Sequence, residues 1–209
     1  SPDRIAVRLA QRPARAPVSA QRTRTLLDAD QIARTLARIG SEIVERHPDL
    51  GNVHLVGVRT RGVPLAERIR DRIRETTGVE VPVGAVDISF YRDDVGLRPG
   101  GDERIGEHPV VGETVFEAPV EGAVIVLVDD VLYTGRTVRA AIDAVFDYGR
   151  PDSVELAVLA DRGHRELPFR ADFVGKNLPT QATERIRVRL HETDGVDEVV
   201  LIQSEEDEG

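Results

Sequence analysis

Two consecutive carboxylates, Asp129 and Asp130, follow the aliphatic run Val124 to Val128 and precede Thr134, Gly135, Arg136 and Thr137. The second half of this stretch, "VIVLVDDVLYTGRT", has the make-up of an anion cradle. Glycine opens backbone conformations closed to other residues, so amide groups can converge on a phosphate. The two threonine hydroxyls and the N-terminus of a following helix add donors, and Arg136 adds charge. Acids touching the same anion would repel it, so they must face other chemistry. Sugar hydroxyls donate to carboxylates, and Mg2+ takes a few carboxylate or hydroxyl oxygens plus water. The implied ligand carries a terminal phosphate, a sugar diol and a metal-bound polyphosphate. A plainer role, two acids that end a strand and cap the next helix, accounts less well for "TGRT" behind them. Neither a Walker A loop nor a Rossmann glycine fingerprint occurs in the chain.

Such a loop needs a frame. "NVHLVGV" (52–58), a strand at 123–128 and another at 154–160 read as buried strands, and "VPVGAVDISF" as a fourth. Between them lie helical segments. Asp28 or Asp30 caps the first, whose Ile32, Leu36, Ile39 and Ile43 form one apolar face. Pro64 suits the first turn of a second helix running to about Thr77, and a third spans 136–148. Strands alternating with helices predict an α/β fold with a mainly parallel sheet covered on both faces. Ligands of such sheets bind beyond the C-terminal strand ends, where "RTRG" (59–62) and "DDVLYTGRT" both fall. A short strand near "ADFVG" and two late ones, "RIRVRLHE" and "DEVVLIQ", complete the pattern. From Tyr91 to Gly122 the pattern dissolves into Asp, Gly, Pro and Glu, a length typical of a functional lid or a disordered segment.

The 209 residues suffice for one full domain, and we divide them into an Arg/Pro-rich arm (1–25), a domain (26–203) and an acidic tail (204–209). The net charge is −9, but the arm carries six arginines against Asp3 and stands at +5, leaving −14 for the rest. An acidic body argues against coating nucleic acid by charge alone. Cysteine is absent, and neither a membrane-length apolar run nor a secretory h-region occurs, so a cytoplasmic protein is expected.

With "VRTRG" (58–62), "YRDD" (91–94) and "DRGHRELPFRADFVGKNLPT" (161–180) beside it, the opening stretch resembles the phosphoribosyl-pyrophosphate (PRPP) motif of type I phosphoribosyltransferases. Within them it resembles the PyrR family of pyrimidine-operon regulators and uracil phosphoribosyltransferases. The likeness runs from about Leu27 to Gln203 and is most specific through 123–180. The resemblance implies the type I phosphoribosyltransferase fold, with a flexible β-loop lid and a small hood. It implies the reaction uracil + PRPP → UMP + pyrophosphate with Mg2+ as cofactor. Asp129 and Asp130 then meet ribose and metal, Thr134 to Thr137 hold the 5′-phosphate, and Arg59, Thr60, Arg61 and Gly62 form the pyrophosphate loop. Arg61, Arg92 and Asp93 join the two aspartates as the expected catalytic set, and Asp161 and Arg162 are expected near uracil.

The resemblance also implies leader-mRNA binding promoted by UMP or UTP, attenuating transcription, and a homo-oligomer, dimer or higher. Arg38, Arg46, His164, Arg165, Arg170 and Lys176 match the RNA-binding face. Ala37 and Ser41 depart from it, standing where the family usually carries polar residues and histidine. Three alternatives stay open: a nucleotide-sensing regulator with little turnover, a transferase that has lost RNA binding, and a transferase for another base.

Overall fold

The computed structural model describes residues 22–89, 112–181 and 183–203. In chain order it contains β1 (Arg22–Leu27), α1 (Ala29–Arg46), β2 (Val53–Val58), α2 (Gly62–Thr77), β3 (Val83–Val86) and β4 (Val124–Leu132). There follow α3 (Arg136–Phe146), β5 (Ser153–Asp161), β6 (Phe173–Asn177), β7 (Glu184–Arg189), the short α4 (His191–Asp194) and β8 (Glu198–Gln203).

Five strands form a parallel sheet in the order β3-β2-β4-β5-β6. Its central strands lie under helices on both faces, which is why they read as unbroken apolar runs rather than alternating ones. All six residues of β2 are buried, as are Ile125 to Val128 of β4. Helices α1 and α2 pack on one face through Ile32, Leu36, Ile39, Ile43, Leu65 and Ile69. Helix α3 covers the other face with Val138, Ala141 and Val145. The remaining strands form a separate antiparallel sheet, β1-β8-β7, whose Val188 and Val199 join the α1–α2 core beside Leu27 and Leu190. This smaller sheet is the hood that the family resemblance implies. Among the described residues no helix is long and apolar enough to cross a membrane.

Several sequence-based boundaries move, three of them by four residues or more. Strand β1 takes in Arg22 to Thr25, which read as part of the arm. Strand β4 does not end at the acids but runs through both of them to Leu132. The strand read over 81–90 shrinks to Val83–Val86, because only those residues find partners along β2. "YRDD", with Arg92 and Asp93, lies outside the described residues.

Asp28 supplies the N-cap of α1 in a reciprocal capping box: its carboxylate accepts from Gln31 N at 2.8 Å, and Gln31 Oε1 accepts from Asp28 N at 2.9 Å. We expect Asp28→Ala to lower unfolding free energy by about 1 kcal/mol in urea denaturation, with the slope unchanged.

Candidate active site

The site arises from two strands of unequal length. β2 pairs with β4 only as far as Gly57 opposite Val128, then leaves the sheet as the loop 59–61. β4 continues beside β5 to Leu132 opposite Asp161. On the β2 side, therefore, Asp129 and Asp130 face a loop instead of a strand. Connections diverge at this place, with β3 on one side of β2 and β4 on the other, which makes it the switch point where open α/β sheets bind ligands. A cleft of about 180 Å3 lies there, lined by Val58, Arg59, Thr60, Arg61, Ile88, Asp129, Asp130, Val131 and Thr137. Gly62 lets α2 start hard against the sheet, since a Cβ there would lie 2.2 Å from the Val128 carbonyl oxygen. The Arg59–Thr60 peptide is cis.

The charges are arranged around the two acids. Asp129 is buried, and its Oδ1 accepts from Asp130 N at 2.9 Å. Burial pushes the Asp130 carboxyl above its ordinary pKa, against the pull of Val131 N–H and of the nearby Arg61 charge. Arg61 itself donates Nε and Nη2 to Asp194 of α4, at 3.1 and 2.8 Å. That bond holds the Asp194 carboxyl far below its usual range and makes the guanidinium more basic. Arg68, two turns along α2, grips Glu192 and Asp197. Arg59 donates Nε and Nη2 to the Glu113 carbonyl, at 3.0 and 2.8 Å. Asp87, at the end of β3, accepts from Ser89 N and Oγ and from Gly112 N, so the described residues flanking 90–111 converge on one carboxylate.

Beyond β4 the chain turns at Gly135, whose φ of 93° suits glycine alone. Gly135 has no side chain to cap α3, and the first helical amide, Arg136 N, donates to Thr134 Oγ1 at a long 3.3 Å, a bond that an anion at this helix N-terminus can replace. The loop is braced from behind: Thr134 O accepts from Glu166 N and Leu167 N, and Arg136 Nε donates to Glu166 at 2.7 Å.

Residues 23–188 match the sequence pattern of the phosphoribosyl transferase domain. Bifunctional protein PyrR of Chloroflexus aurantiacus is 57% identical over 178 residues, covering 85% of this chain and 94% of the relative. The Listeria monocytogenes protein of that name is 50% identical over 186 residues, covering 89% of this chain and 100% of its own. The chain belongs to the PyrR family. Hypoxanthine phosphoribosyltransferase of Trypanosoma cruzi superposes with a TM-score of 0.63 at 18% identity, covering 87% of this chain and 97% of its own. At that identity the likeness concerns the fold, the type I phosphoribosyltransferase fold, and leaves the choice of base open.

For a PyrR-family chain, the other expected residues fall in two places. Asp161 ends β5 and Arg162 follows it, beside the 134–137 loop, with Arg162 N bonded to Leu132 O. Their side chains are engaged locally. Asp161 accepts from Gly163 N and from Arg165, while Arg162 is buried, bonds Thr180 Oγ1 and Glu184 O, and lies 3.9 Å over the Tyr133 ring. Arg165 also bonds the Tyr133, Gly163 and Phe169 carbonyls, and His164 Nε2 meets Thr180 O.

Arg38 reaches across from α1 to the Val174 and Gly175 carbonyls, and Arg46 to Glu155 and Asp172. Both thus lie along the β6 edge with exposed Lys176, while exposed Arg170 stands just before that strand. Ser41 turns its hydroxyl back to the Ala37 carbonyl. Asp87 and Asp194 escape the sequence reading. The first is a lone acid ending an apolar strand, and the second is lost in the acidic run "HETDGVDE".

Burial opposes the charge of Asp197, but donors from Arg68 and His191 N outweigh it and depress its pKa below the ordinary value of 3.8. A depressed carboxyl contributes stability above its unfolded pKa and loses it as pH falls through the folded one. Asp197→Asn should therefore melt below the wild type at pH 7, and the gap should close as pH drops below about 4. Thermal melts at stepped pH test this.

Proposed function

We propose that this chain transfers the phosphoribosyl group of PRPP to uracil, giving UMP and pyrophosphate, and binds pyrimidine-operon leader mRNA in a uridine-nucleotide-dependent manner. One observation carries the reading: a carboxylate pair at the switch point, facing a basic loop across the cleft and followed by a glycine turn into a helix N-terminus.

In this reading the Thr134 and Thr137 hydroxyls, the Gly135 and Arg136 amides and the first turn of α3 take the 5′-phosphate. Asp129 and Asp130 accept from the ribose hydroxyls. The 59–62 loop receives the pyrophosphate, and uracil lies toward the Asp161–Arg162 end of β5. As the C1′–oxygen bond breaks, ribose becomes cationic and the leaving group gains negative charge. The two carboxylates stabilise the first, and Arg59 and Arg61 stabilise the second, as charges already in place when the bond breaks. Arg92 and Asp93 belong to the same proposal.

Mg2+ fits this donor set: Asp129 and Asp130 would hold it, and it would supply charge neutralisation at the leaving pyrophosphate. Among the described residues no three ligating side chains cluster. Mg2+ needs only one or two carboxylates beside substrate oxygens and water, and two adjacent acids, one of them buried, favour a cation beside them.

The test is PRPP-dependent UMP formation. Wild type should turn over with uracil and Mg2+ and stop on chelation. Asp129→Asn with Asp130→Asn should lose at least about a thousand-fold in kcat/KM, taking both interactions as transition-state contacts. Normal turnover by that double variant refutes the site, and preference for hypoxanthine or guanine over uracil refutes the base.

Leader RNA is assigned to the edge formed by α1 and β6. Arg170 and Lys176 are its best phosphate contacts, their exposed side chains making no hydrogen bond or ion pair among the described residues. Arg38 and Arg46 flank them, while His164 and Arg165 extend the edge toward Thr180. Arg170→Gln with Lys176→Gln should weaken RNA binding and flatten its salt dependence by about 0.7 log units per lost phosphate contact. The thermal midpoint should not move. An unchanged salt slope counts against this face.

A further inference from the structure

An arginine that lines the same cleft as two adjacent acids has an obvious wrong place to go. Arg61 lies near Asp130, whose charge it feels, and a guanidinium free to swing would settle on the Asp129–Asp130 pair. There it would neutralise the carboxylates that the proposed site needs for ribose and metal. The structure holds it elsewhere. Asp194 takes Nε and Nη2 together in a fork, at 3.1 and 2.8 Å. Two-point bonding fixes both the position and the plane of an arginine. Asp194 is fixed in turn, since its Oδ2 also accepts from Leu190 N at 3.0 Å and from Thr193 Oγ1 at 2.7 Å. A guanidinium has five N–H donors, so with this fork made three remain, including both on Nη1.

We propose that Asp194 of the hood is a positioning residue for the reaction: it keeps Arg61 off the cleft carboxylates and presents its remaining donors to the pyrophosphate group. The inference rests on the active-site reading above and adds to it a residue outside the cleft. It also makes the hood part of pyrophosphate recognition, although the hood touches the leaving group through no residue of its own in this scheme.

The distinguishing measurement is equilibrium binding by calorimetry in Mg2+, with pyrophosphate and UMP as separate probes. Asp194→Asn should weaken pyrophosphate about ten-fold, the middle of the range for residues coupled through one bond, and leave UMP within about two-fold. Asp194→Glu should recover part of the loss, because it restores the charge at a longer reach. In an Arg61→Ala background, Asp194→Asn should cost pyrophosphate binding nothing further.

Equal losses for both probes, or a full additional loss in the Arg61→Ala background, would show Asp194 to be a structural clamp and overturn the proposal. A wild type that binds neither probe would instead overturn the active-site reading, and this inference with it.

Discussion

The structure turns on a like-charge pair placed where a sheet loses one of its strands. Removing a carboxylate from water disfavours its charge, and at Asp130 this effect exceeds the pull of its donors and of Arg61. Asp129 and Asp130 therefore impose more on their surroundings than the many surface arginine–acid pairs. Their position follows from strand length: β2 stops one residue beyond Gly57, while β4 keeps its β5 neighbour as far as Leu132. Had β2 run on, its backbone would occupy the cleft. The early exit needs a tight start to α2, which in turn needs Gly62 against the Val128 carbonyl.

Compensating charge comes from one helix and is held by another. Arg61 and Arg68 lie seven residues apart at the start of α2, hence on the same side, and both engage the acids on and just after α4. The hood is thus fastened in two chemically distinct ways. Val188, Leu190 and Val199 bury it against α1 and α2, and the arginine pairs set its register over the cleft. Apolar burial supplies the larger stabilisation but tolerates sliding, whereas forked arginine–carboxylate bonds specify one geometry. This division suits a small sheet that must sit accurately beside a reacting centre.

What the sequence made legible follows the same physics. Buried strands and amphipathic α1 announce themselves because burial on a fixed face leaves a period in the residues. The "TGRT" loop is readable because its donors are contiguous. β1 was hidden: it is an edge strand of the hood with its first four residues exposed, so "RTRT" looks like a solvated tail. Asp194 was hidden for another reason. Its role depends on Arg61, 133 residues away, and nothing local separates it from neighbouring acids. The end of β4 was misplaced because paired aspartates usually signal a strand's end. Here pairing with β5 carries the backbone past them.

The same accounting bears on RNA. A chain of net charge −9 still carries 28 basic residues, yet many of them have work inside the protein. Arg38 and Arg165 support backbone carbonyls, Arg46 spans Glu155 and Asp172, and Arg61 and Arg68 fasten the hood. Each is bound by partners that a phosphate must displace or share. Non-specific attraction is weak for such a surface, because it scales with the number of phosphates neutralised. Recognition that survives under those terms has to come from a few well-placed contacts to a folded RNA, through its shape and its unstacked bases. An acidic body then serves specificity, since it repels every nucleic acid that cannot meet those few contacts at once.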